Sequence, residues 1–77
     1  MYAYPQYRKL SNSKSLYKIE SADTLIELQL LGSRWVKHKL HARILPERLL
    51  ISDLLSCSTA GYVYSDVHEF ELALHTL

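Results

Sequence analysis

Apolar and polar residues alternate along the middle of the chain, and the alternation breaks at a few turn-forming residues. Leu16 to Glu20, Thr24 to Leu31 and Trp35 to Leu45 read with a period of two, the repeat of a strand whose successive side chains face opposite ways. Ser21-Ala22-Asp23-Thr24 and Gly32-Ser33-Arg34 separate them as hairpin connections. A shorter run, Gln6 to Leu10, is placed to pair with the first of them across Ser11-Asn12-Ser13-Lys14. Past Pro46 the period lengthens. Leu50, Ile51, Leu54 and Leu55 recur at three and four residues, which predicts a helix of about 10 residues ending near Cys57. Pro46 suits its first position and Glu47 its positive end. Ser58-Thr59-Ala60-Gly61 reads as a loop and Tyr62-Val63-Tyr64 as a short edge strand. Ser65 or Asp66 caps a last helix, with Asp66 and Glu69 at capping-box spacing and Val67, Phe70, Leu74 and Leu77 on one stripe.

Parity decides which side chains share a face, because a one-residue slip exchanges the two faces of a strand. A two-residue loop at Gly32-Ser33 would put Ile26, Leu28 and Leu30 beside Trp35, Lys37, Lys39 and His41, a poor core. A three-residue loop puts them instead with Val36, His38, Leu40, Ala42 and Ile44, and sets Glu27 against Lys39 and Gln29 against Lys37. An even first loop adds Tyr17 and Ile19 to the apolar face and sets Lys18 against Glu27. The expected fold is therefore α+β, one domain over residues 1–77, in the order β-β-β-β-α-β-α. A mainly antiparallel sheet of three to five strands carries both helices on its one apolar face. Leu31, Trp35, Lys37, Lys39, His41 and Arg43 are left on the other, open face.

A chain of 77 residues holds a single small core and buries only ~60% of its unfolded surface, so association with another chain is a natural way to enlarge it. The 48% apolar fraction excludes a disordered chain, and one cysteine excludes an internal disulfide. Neither a signal-peptide-like apolar run nor a membrane-spanning stretch is present, so a soluble cytoplasmic protein without membrane association is expected. Net charge is +1, but residues 1–48 hold all nine Lys and Arg against four acids, whereas residues 49–77 hold four acids and no Lys or Arg. Such asymmetry suits an anion-binding face or self-complementary association.

Candidate chemistry is thin. His68, Glu71 and His75 share one flank of the last helix and are adequate zinc ligands, but no second ligand pair accompanies them. His38 and His41 have opposite parity; the chosen register turns His38 inward, where a pH-sensing role competes with simple burial. Nothing near Cys57 suggests an activated thiol, Ser52 and Asp53 diverge on a helix, and two isolated glycines make no phosphate loop. Neither enzymatic activity nor a cofactor or metal is expected. What remains is the open face. Its Trp35-centred apolar cluster with Leu31 points to a non-catalytic interaction protein, a homodimer or one with a protein partner, joined through the sheet face or an edge strand. Trp35 with Lys37, Lys39 and Arg43 gives the alternative, single-stranded nucleic acid bound by stacking and phosphate contact.

Tyr4-Pro5-Gln6-Tyr7-Arg8-Lys9, Lys14-Ser15-Leu16-Tyr17-Lys18-Ile19 and Ala42-Arg43-Ile44-Leu45-Pro46-Glu47-Arg48 resemble stretches of small bacterial proteins without an assigned activity. The resemblance spans most of the chain. It implies a stand-alone bacterial protein and brings no functional residues with it.

Overall fold

Tight turns join the first four strands, so each adds to the sheet beside its predecessor. The computed structural model of the chain describes residues 2–57 and 61–77. It contains β1 (Gln6–Leu10), β2 (Ser15–Ser21), β3 (Thr24–Leu31), β4 (Arg34–His41), α1 (Leu45–Ser56), β5 (Tyr62–Tyr64) and α2 (Val67–Leu74). The α+β class and the element order are those expected. All pairs are antiparallel, in the order β4-β3-β2-β1-β5. The loop expected at Ser58-Thr59-Ala60 lies outside the described residues. β4 stops at His41 rather than running to Leu45, which instead opens α1.

Both registers differ from expectation by one residue. The β3–β4 turn has two residues: Leu31 pairs with Arg34 and Leu30 with Trp35. Gly32 (φ +64°) occupies the first turn position, where a type II′ hairpin needs a positive φ and glycine supplies it at no steric cost. The β2–β3 turn is even as expected, but an irregularity between Ile19 and Ser21 inserts an extra residue. Beyond it Ile19 pairs with Leu25, Lys18 with Ile26 and Tyr17 with Glu27. Lys39 therefore lies opposite Ile26, Lys37 opposite Leu28, and Glu27 opposite His38.

The two slips divide the apolar residues between both faces, so each face needs its own cover. Tyr17, Ile19 and Leu25 pack with Ala42 and with Ile51, Leu54 and Leu55 of α1. Leu16 and Leu28 pack with Phe70 and Ala73 of α2, flanked by Tyr7, Ile26, Trp35 and Leu74. Because Leu16 and Tyr17 are adjacent on β2, these cores lie on opposite sides of the sheet. The helices thus sit one on each face, not both on one. Central β2 is consequently buried on both sides.

Helix ends are fixed by side chains near them in space. The Glu47 carboxylate accepts the Arg43 and Ile44 N–H groups at 2.9 and 3.3 Å and is thereby held below the usual carboxylate range. Asp66 caps α2 by accepting the Glu69 N–H at 2.8 Å. Glu69 accepts instead from Ser65 Oγ (2.6 Å) and Lys9 Nζ (2.9 Å), which fastens α2 to β1.

Candidate interaction surface

β4 forms one edge of the sheet, and its backbone defines the candidate surface. Residues flanking a two-residue hairpin turn bond to each other, so Arg34 turns its N–H and C=O toward Leu31. At the far end the Ala42 N–H donates to the Asp23 carbonyl at 2.6 Å, on the same parity. Positions 34, 36, 38 and 40 therefore bond to β3. Trp35, Lys37, Lys39 and His41 direct their N–H and C=O groups away from the sheet. The pairing runs without a break over all eight residues, so the free edge is equally regular.

The side chains along this edge are basic. Lys37, Lys39 and His41 project on the α2 side; Arg34 and His38 project on the α1 side, all exposed. Among the described residues Arg34, Lys37 and Lys39 make no ion pair, and only His41 approaches a carboxylate, with Nε2 4.0 Å from Asp23. That carboxylate is already held below its usual range, first by hydrogen bonds from Ser21 and Thr24 and then by the charges of His41 and Arg48. Val36 and Leu40, half-buried, alternate with the basic residues on the α1 side.

Of the six residues expected on one open face, four share a face: Trp35, Lys37, Lys39 and His41. Leu31 faces the other way, 52% exposed beside Arg34, because the two-residue turn reverses its parity relative to Trp35. Arg43 lies beyond the strand, at the entrance to α1. Nor is Trp35 an exposed platform. Its half-buried indole packs against the Leu16–Leu28–Phe70–Ala73 core. His38 shares the α1 face as expected from its parity with Val36, yet is exposed, since an edge strand has no neighbour to cover it.

Beside the indole an open cleft of about 340 Å³ is lined by Ser13, Leu16, Trp35, Glu69, Leu72, Ala73 and Thr76. Its carboxylate, Glu69, is held below the usual range by Ser65 and Lys9, which already engage its two oxygens. On α2 the Glu71 and His75 side chains come within 3.9 Å, while among the described residues no group of three His, Cys, Asp or Glu side chains is placed to hold a metal ion. Cys57 is half-buried, with Sγ 3.6 Å from the Leu54 carbonyl.

Sequence reasoning missed Arg8. It is 2% exposed on the α1 face of β1. Its Nε and Nη2 donate to the Leu54 and Leu55 carbonyls at 3.0 and 2.9 Å, and Nη1 donates to Gln6 Oε1 and the Tyr7 carbonyl. The Tyr64 ring stacks on the guanidinium at 4.2 Å. An arginine thus occupies the negative end of α1, whose last turn has no basic residue of its own. That absence was the available signal.

No family model, no curated protein and no solved structure matches this chain.

Proposed function

We propose that the protein is a small non-catalytic interaction protein, and that its working surface is the free edge of β4, where a partner protein adds a strand. The observation that carries this reading is the eight-residue unpaired edge, with four outward backbone N–H groups and four outward carbonyls flanked by five basic side chains. A long regular edge is a ready template for another chain. Each broad face of the sheet carries a helix, and of the two edges β4 offers eight residues where β5 offers three.

A second copy is a poor occupant. An antiparallel β4–β4 pair that sets Val36 against Leu40 also sets Lys37 against Lys39 twice, and like charges directly opposite oppose pairing. Single-stranded nucleic acid is a poor one as well, since the indole that would stack on bases packs against α2.

Selection from a random peptide library on the immobilised protein tests the reading. Peptides that compete with one another for one site are expected, and Lys37→Pro is expected to lose them. The Lys37 N–H points outward, so proline there removes an edge donor without breaking a bond to β3. Lys37→Glu/Lys39→Glu serves as the second variant, and thermal melting checks that each folds. Selected peptides that bind both variants as well as the wild type would overturn the reading. So would a dimer in light scattering that Lys37→Pro dissociates, or oligo(dT) binding lost in the same variant.

A further inference from the structure

The side-chain alternation along the edge specifies what kind of strand fits it. Taking the β4 edge as the binding surface, on which this inference rests, we infer that the partner segment alternates acidic and apolar residues. Any strand added to β4, parallel or antiparallel, places alternate side chains on the two faces of the extended sheet. On the α2 side its neighbours are Lys37, Lys39 and His41, three exposed cationic or titratable groups in succession. Carboxylates at every second position of the incoming strand meet them as cross-strand partners. Among the described residues Asp23 is the one carboxylate within ion-pair distance of this row, at the His41 end and already engaged by Ser21 and Thr24. On this side of the sheet Lys37 and Lys39 thus have no carboxylate partner among the described residues.

On the α1 side the row reads Arg34, Val36, His38 and Leu40. Val36 and Leu40 are only half-buried, Leu40 lying at the margin of the α1 core, because no strand flanks them on the outer side of β4. Apolar residues of the incoming strand extend that surface and remove it from water. A segment of the type Glu-Val-Glu-Val satisfies both rows at once. The shifted register sets valine beside Lys37 and Lys39 and glutamate beside Val36 and Leu40, leaving both lysines unmatched and gaining only Arg34 and His38 as charge partners. The ligand chemistry is therefore that of a β-forming, acidic stretch of another protein.

A soluble peptide alternating glutamate and valine over the length of β4 tests this directly. Saturable binding is expected by fluorescence anisotropy, weakening as salt is raised. Lys37→Glu/Lys39→Glu should weaken it roughly tenfold to thirtyfold while the thermal melt stays cooperative. Peptides N-methylated on one alternate set of residues should keep binding and those methylated on the other set should lose it, because only one set faces β4. Equal binding of both methylated sets would show charge attraction without strand addition and would overturn the inference. Equal binding of a peptide with glutamate replaced by glutamine would do the same. If the alternating peptide fails but library-selected peptides still compete at β4, the acidic pattern is wrong and the edge reading stands. If both fail, both fall.

Discussion

Arg8 is the residue on which the first core most depends. It is a buried cation with no carboxylate partner among the described residues, made tolerable by three backbone carbonyls, Gln6 and the Tyr64 ring. Arg8→Met is expected to destabilise the fold by about 3 kcal/mol in urea unfolding, because the Leu54 and Leu55 carbonyls lose their side-chain donor in a buried place. Arg8→Lys should recover little, since an ammonium does not span both carbonyls while stacking on a ring. A second residue-scale consequence concerns Tyr17, whose hydroxyl is pushed up to about 12, first by burial and then by the Glu27 charge. Its folded value lies above the ordinary 10.0, so the protonated form is the one the fold favours. The resulting stabilisation is complete below pH 10 and is lost as pH rises from there toward about 12. Absorbance titration should show a late-ionising tyrosine in the wild type that is lost in Tyr17→Phe.

At the scale of elements, the strands and helices were legible in the sequence and their registers were not. Period two over Thr24 to Leu31 and the three-four spacing of Leu50, Ile51, Leu54 and Leu55 mark structure that burial enforces. Register depends on single residues. Choosing parity to gather every apolar side chain on one face assumes one cover, whereas two short helices divide the work and make a mixed face acceptable on both sides. The extra residue between Ile19 and Ser21 leaves no compositional mark, so the slip at the first hairpin had no signal. The second had one, since Gly-Ser between two strands is a two-residue turn signature. The same signature makes a prediction. Gly32→Ala should cost about 1 kcal/mol through backbone conformation alone, as an added methyl meets no neighbour within 4 Å. A D-alanine at that position, introduced by chemical synthesis, should restore the melting temperature. The four residues that do share a face, Trp35, Lys37, Lys39 and His41, were legible from strand parity; separating Leu31 from them takes the turn geometry, and separating Arg43 takes the end of β4 at His41.

For the whole molecule, two thin cores on either side of one sheet imply uneven stability. Among the described residues the α1 core contains seven buried residues and the α2 core four, of which α2 itself supplies Phe70 and Ala73. Native-state hydrogen exchange should therefore find α2 amides opening well below the global unfolding free energy, with β2 and β3 the last to exchange. Asp66→Ala should lower the α2 opening free energy further, by about 1 kcal/mol, and leave β2 protection nearly unchanged. Lys37 and Lys39 have a consequence at this scale too. Their like charges oppose edge-to-edge pairing of two copies along β4. Acetylating them should remove that opposition and make the chain a seed for ordered fibres, detectable by thioflavin fluorescence.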